Sequence, residues 1–344
     1  MCFRGKTLAL LLSIFFSMAS PTGQNAERPR FASEEEARSA MVQLLKIPYE
    51  VPEVSPFIVN RWQEENLIIE DIRWKSLDNQ EVPAYLVRPA EITAPLPAVV
   101  CLHGSSGSRE SMITRYFGKG SWTRFGRDEP HQRLLGWARE LARRGYIALA
   151  VTQRGLDRRL PDTSSQSKEL LLYGRNLMGA LIYEIRQAIT VLTHREEVDS
   201  DRIGATGMSF GGITTFYSWI ADPRIKAAAP ICGGVGSLEV FLEKGSRAYH
   251  GVYWWVPGIL ERGDHGDFAA AMAPRPFMIW APLDDIGMPR EGVDHFLQSV
   301  EPAYSQRGAS GQLVVHRPPG EHEFTEAAFE ALTDFFDTYL RGDE

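Results

Sequence analysis

A chain of 344 residues, 44% of them hydrophobic, is long enough to bury one large core. Its 37 lysines and arginines stand against 44 aspartates and glutamates, a net charge of −7. The basic residues are scattered apart from Arg154, Arg158 and Arg159, so the basic face that binds nucleic acid is lacking, and that one cluster reads as a solvated loop.

Residues 1–26 read as a signal peptide and not as part of the fold. Arg4 and Lys6 precede the apolar run TLALLLSIFFSMA, which is too short for a comfortable membrane span, and small residues Ser17 and Ala19 lead to a cut before Ser20, with Ala26 as an alternative. The expected outcome is export to the periplasm or beyond, with no stable membrane span afterwards. Cys2 leaves with this segment. Cys101 and Cys232 sit in apolar, strand-like runs and read as buried free thiols. No Cys/His/Asp group has zinc-ligand spacing, so no metal and no cofactor is expected.

Residues 27–60 read as a lead-in packed on the domain, with a helix over 33–45, and residues 61–344 as the domain itself. The pattern predicts eight strands, at 67–75, 82–88, 97–103, 146–152, 202–208, 225–232, 276–282 and 311–317. Helices are predicted at 130–144, 168–194, 210–221, 290–306 and 323–340. The first two strands are close enough for a hairpin. The later strands are separated by helices, which requires parallel crossovers and a sheet covered on both faces. Continuously apolar runs such as AVVCL and FMIWA are what doubly buried strands need. After the sixth strand, residues 236–272 break the rhythm and carry Tyr249, Tyr253, Trp254 and Trp255, a lid-like insertion over the sheet edge. Trp254 and Trp255 are the expected substrate contacts, since aromatic faces suit sugars.

The stretch IGATGMSFGG, residues 203–212, is a short apolar strand that runs through Ser209 straight into a helix. So tight a strand-to-helix turn leaves no room for side chains two residues either side, where Gly207 and Gly211 stand, and it lifts the serine hydroxyl above the sheet edge. A serine hydroxyl is a weak nucleophile and needs a base, an acid that orients the base, and an oxyanion site. His322 lies in the loop after the last strand, at the carboxyl edge, and is the expected base; His295 and His316 lie in a helix and a strand. Asp284 and Asp285 compete for the acid, both after the strand at 276–282. Oxyanion donors are expected from the backbone N–H of Phe210, at the helix N-terminus, and of Ser105, in the turn after AVVCLHG, with His103 bracing that turn.

The motifs CLHG, GMSFGG, APLDD and GEHEF, in this order on this strand pattern, resemble those of the α/β-hydrolases. The dienelactone-hydrolase-like and acetyl-xylan-esterase-like exported bacterial esterases are the most similar branch, through AMAPRPFMIWAPLDD, the REGVDHF that follows, and QRG at 153–155. That resemblance covers about residues 60–340 and implies Asp285 as the acid. It departs from dienelactone hydrolases proper, whose nucleophile is a cysteine, and has Ala281 where a glycine is common. The activity implied is hydrolysis of a carboxylic ester, on a small molecule or an esterified polysaccharide. A serine peptidase of prolyl-oligopeptidase type shares the fold, although no repeats of propeller length are present, and a non-catalytic binding protein on this scaffold is the remaining alternative. Intact-mass measurement on protein recovered from its native export pathway is expected to show the N-terminal segment removed; a chain beginning at Met1 in the cytosol would contradict the signal-peptide reading.

Overall fold

The computed structural model describes residues 31–121, 132–244 and 250–342. The expected signal peptide and Tyr249 lie outside the described residues.

Helix α1 (Glu34–Leu45) starts at Ser33, whose hydroxyl accepts the Glu36 N–H, and its first turn carries three glutamates where the helix dipole is positive. Strands β1 (Phe57–Glu64), β2 (Leu67–Lys75) and β3 (Glu81–Pro89) form an antiparallel meander. Then come β4 (Leu96–Leu102), α2 (Arg109–Ile113), β5 (Gly118–Ser121), β6 (Gln132–Leu135), α3 (Trp137–Arg143) and β7 (Ile147–Val151). Helices α4 (Thr163–Leu172) and α5 (Leu177–Thr193) lead to β8 (Val198–Met208), α6 (Phe210–Ala221) and β9 (Ala227–Ile231). The insertion contributes α7 (Leu238–Glu243), a 3₁₀ turn at Val252–Trp254, α8 (Ile259–Arg262) and α9 (His265–Ala271). The chain finishes with β10 (Phe277–Trp280), α10 (Arg290–Gln306), β11 (Leu313–His316) and α11 (Glu326–Phe336).

Nine strands form one sheet in the order β1-β2-β3-β7-β4-β8-β9-β10-β11, and β5 pairs with β6 in a separate ribbon. From β7 to β11 every neighbouring pair is parallel, so the carboxyl ends of β4, β8, β9, β10 and β11 share one edge. Helices cover both faces. One apolar layer joins the sheet to α1, α5, α6, α9 and α10, with Trp219 stacked on Phe277 at 4.4 Å. The other joins it to α3 and α11. Among the described residues no helix is long and apolar enough to cross a membrane.

Beside the short α2 and β5, which were not expected, four features differ from the sequence expectation. Among the described residues the sheet has nine strands and not eight, because β1 begins inside the expected lead-in; as an edge strand it is mostly exposed and carries no buried alternation to mark it. The expected helix over 130–144 is strand β6 followed by α3. Gly136, at φ +70°, divides them, and a Cβ there would lie 2.3 Å from the Tyr116 carbonyl oxygen. The expected helix over 168–194 is two helices, broken at Gly174 (φ +66°) and restarted by Asn176, whose side chain accepts the Gly179 N–H at 2.7 Å.

The fourth is the arginine cluster: Arg158 is exposed, as expected, but Arg154 and Arg159 are buried and do not belong to a solvated loop. Arg154 and Arg159 are 2% and 8% exposed and both bond the buried Glu184 of α5. Arg154 also holds Asp78, and Arg159 donates to the Thr152 carbonyl at 2.9 Å. Burial pushes the Glu184 carboxyl up, but the Arg159 and Arg154 charges outweigh it and hold it below its ordinary value. These ties pin the loop after β7 to α5. Removing one member strands the others' charge without water, so Glu184→Ala is expected to cost about 3–5 kcal/mol in denaturant unfolding, against near-neutrality for a surface change such as Glu169→Ala.

Candidate active site

Ser209 is the single residue between β8 and α6, at φ 57° and ψ −115°. That backbone region is costly for a residue with a side chain, by about 1–3 kcal/mol, and it persists where neighbours over-determine it. Here they do. The Ser209 N–H donates to the Ile231 carbonyl at 2.9 Å. A Cβ on Gly207 would stand 2.5 Å from the Leu102 carbonyl oxygen, one on Gly211 only 2.0 Å from it, and one on Gly233 would be 2.2 Å from the Ser209 carbonyl oxygen. The three glycines let β4, β8, β9 and α6 close on the turn, and the turn leaves the serine side chain the cavity as its outlet.

The loop after β11 brings His322 to Ser209, with Nε2 to Oγ at 2.8 Å. Its Nδ1 lies 2.8 and 2.9 Å from the two carboxylate oxygens of Asp285, in the loop after β10. The Asp285 side chain is fully buried, and one of its oxygens also accepts the Gly287 N–H at 2.8 Å. Asp284 faces solvent: its carboxylate accepts the Gly320 N–H at 3.3 Å and lies 3.9 Å from Arg290. Of the two competing aspartates, it is Asp285 that meets the histidine. Cys232, at the end of β9, packs behind the pair. Burial pushes its thiol well above the ordinary value, so it stays S–H and donates to the Glu323 carbonyl at 3.3 Å, bracing the histidine loop. Cys101 and Cys232 are both free and buried. The Cys232, Asp285 and His322 ligand-type atoms lie within 4.8 Å of one another, yet their hydrogen bonds to each other and to the backbone already engage them, which suits a metal poorly.

A cavity of about 330 Å³ opens over Ser209. Gly104 and Ser105, from the turn after β4, form one wall. His103 fixes that turn: its Nδ1–H donates to the Gly104 carbonyl at 2.8 Å and its Nε2 accepts the Gln153 N–H at 3.1 Å. Gln153 returns a side-chain bond to the His103 carbonyl and accepts the Thr214 hydroxyl from α6. Both His103 nitrogens are therefore committed to structure. Met112, Leu134, Trp137 and Phe324 make an apolar flank, with Trp137 and Phe324 edge to face at 5.5 Å. Phe210 opens α6, whose first N–H groups lack intrahelical partners and carry the positive end of the helix dipole.

The insertion reaches the cavity through residues other than those expected. Trp254 is 3% exposed and packs on Phe241, His250 and Trp255, and neither Trp254 nor Trp255 lines the cavity; His250 and Tyr253 do. The reading of the two indoles as substrate contacts is corrected accordingly: aromatic content marks the segment, but without a period it does not say which rings turn inward. Buried Asp264 fixes the segment, accepting from the Ser237 hydroxyl and from the N–H groups of Leu238 and His265 at the starts of α7 and α9.

A hydroxyl bonded to an imidazole, itself bonded to a buried carboxylate, can lose its proton to the ring as it attacks. This arrangement, on a strand-turn-helix at the carboxyl edge of a parallel sheet with acid and base following in sequence, defines the α/β-hydrolase class. The chain belongs to the Abhydrolase family, whose model matches residues 23–326. A Bacillus subtilis (strain 168) protein named "Putative hydrolase YtaP" is 29% identical over 303 residues, covering 87% of this chain and 98% of that one. Among solved structures, an acetyl xylan esterase from Paenibacillus sp. R4 superposes with a TM-score of 0.63 at 20% identity, covering 91% of this chain and 97% of that one. A glucuronoyl esterase from Solibacter usitatus gives 0.66 at 15% identity, with coverage of 88% and 92%. At these identities the two structures share the fold.

The crowding at the turn has a direct consequence for stability. Gly211→Ala places a methyl against backbone that cannot yield without moving Ser209, and is expected to cost about 3 kcal/mol in denaturant unfolding. Gly311→Ala, where nothing lies within 4 Å of the added carbon, is the near-neutral control.

Proposed function

We propose that this protein is a serine carboxylic-ester hydrolase that works through an acyl-enzyme. The observation that carries the reading is the unbroken hydrogen-bonded run from Ser209 through His322 to buried Asp285, opening on a cavity. In this reading His322 Nε2 takes the Ser209 proton as Oγ bonds to the ester carbonyl carbon. The resulting oxyanion accepts hydrogen bonds from the backbone N–H groups of Phe210 and Ser105. Collapse breaks the carbon–oxygen bond to the alcohol, which leaves with the proton held by His322. Water, deprotonated by His322, then attacks the acyl-serine, and the acid leaves as Ser209 Oγ takes that proton back from His322. Asp285 holds the ring with Nδ1–H toward itself and stabilises the imidazolium between transfers.

The substrate class in this reading is an acylated or esterified polysaccharide outside the cytoplasm. Support comes from the fold neighbours, which carry the names acetyl xylan esterase and glucuronoyl esterase, and from the signal-peptide pattern of residues 1–26. A small acyl group fits a cavity of about 330 Å³ with an apolar flank, and the rest of a polymeric alcohol would extend out through its mouth.

The test is a panel of aryl acetate, aryl butyrate, methyl glucuronate and feruloyl esters, with Ser209→Ala as the blank. Turnover on at least one ester, absent in Ser209→Ala, is expected. Asp285→Asn should lower kcat on the order of 10⁴-fold, as loss of the acid does in a comparable triad, while Asp284→Asn leaves it nearly unchanged. Equal losses in the two variants, or activity that survives Ser209→Ala, would contradict the assignment.

A further inference from the structure

We infer that His250, which belongs to the insertion and not to the sheet, is a positioning residue for the acid loop: it holds Gly287, and through Gly287 it holds Asp285 against His322. The inference rests on the ester-hydrolase reading. Its basis is a sequence of contacts. His250 Nε2–H donates to the Gly287 carbonyl at 2.9 Å. The Gly287 N–H donates to the Asp285 carboxylate at 2.8 Å, and the same carboxylate meets His322 Nδ1. Gly287 is thus held at both of its backbone polar groups, once by the acid and once by the insertion.

The surroundings show why such a tie is useful. On one side, the acid loop is fastened to the histidine loop by Leu283 N–H to the Pro318 carbonyl and by Asp284 N–H to the Gly320 carbonyl, both at 2.9 Å. Its tip is open to water, with Ile286 71% exposed. On the other side, His250 supplies the bond across to the insertion. The ring is itself fixed, tilted against Trp254 at a centroid distance of 3.9 Å and edge-on to Phe241 at 5.4 Å. Trp254, misread from the sequence as a substrate contact, thereby gains a role: it packs behind the imidazole.

The imidazole is also of the right chemistry to serve as a constant donor. Burial pulls its pKa down to about 4, so near neutral pH it remains neutral, with one N–H. The titratable groups that bear on it are His322 and Asp285 from the two loops and His265 of α9 beyond Trp254. A second fixed cation beside His322 would oppose the imidazolium the reaction needs; a neutral donor does not.

Two variants separate positioning from packing. His250→Phe keeps a ring against Trp254 and Phe241 and removes the N–H. His250→Gln gives up the ring but offers an amide N–H at the reach of Nε2. On whichever ester the wild type turns over, His250→Phe is expected to lower kcat by about 10- to 100-fold, the scale of a small misplacement of a catalytic group, with KM little changed. His250→Gln should recover most of the rate. Wild-type kcat in His250→Phe would overturn the inference, as would a loss that appears in KM instead of kcat or one that His250→Gln does not relieve, since the N–H would then not be what matters. Absence of Ser209-dependent turnover in the wild type itself would instead overturn the ester-hydrolase reading and this inference with it.

Discussion

The carbonyl oxygen of Leu102 at the end of β4 sets the terms for everything above the sheet. It approaches the turn at Ser209 so closely that neither Gly207 nor Gly211 can carry a Cβ. That approach exists because β4 and β8 are adjacent parallel partners in register, Leu102 opposite Gly207. α6 must then start immediately, and the serine absorbs the reversal in a backbone conformation that a side chain disfavours. The helix N-terminus, the serine and the turn after β4 come together as one consequence of a contact between two strands.

The remaining parts reach the same place because parallel strands deliver their following loops to one edge. The loop after β9 gives Cys232, Gly233 and the insertion; the loop after β10 gives Asp285; the loop after β11 gives His322. None of these loops stands alone. The histidine loop is bonded to the acid loop and to Cys232, the acid loop is bonded to His250, and the turn after β4 is held through His103 and Gln153 to α6. The buried charges of Arg154, Arg159 and Glu184 secure the next residues along from Gln153 against α5. The edge is therefore a set of loops cross-tied by short polar bonds over a rigid apolar core, an arrangement suited to holding reacting groups within a few tenths of an ångström.

Much of this is legible in the amino-acid sequence, and what is not has identifiable causes. Strongly apolar strands and amphipathic helices announce themselves, and α6 and α10 begin and end where the pattern puts them. The glycines around Ser209 are legible because a steric requirement fixes their spacing. Edge strand β1 is not, since burial leaves no mark on it. Arg154 resembles any surface arginine because its partners stand far away in sequence, Asp78 before it and Glu184 after it. The choice between Asp284 and Asp285 needed the resemblance, because adjacent residues share every local feature; the loop's bonds to Gly320 and Gly287 turn one outward and one inward. Within the insertion, the rings that face the cavity are decided by Asp264 and by packing on Phe241, neither of which a count of aromatics contains.

The central claim is that the Ser209 hydroxyl is the activated nucleophile of this edge, and covalent trapping tests it most directly. The full-length protein would be treated with an aryl phosphonate ester, digested, and its peptides mapped by mass spectrometry. The account predicts a single phosphonyl adduct on Ser209, lost when His322 is replaced by Ala. An adduct on Ser105 or Ser106 instead, or no adduct on folded protein at any pH, would contradict it.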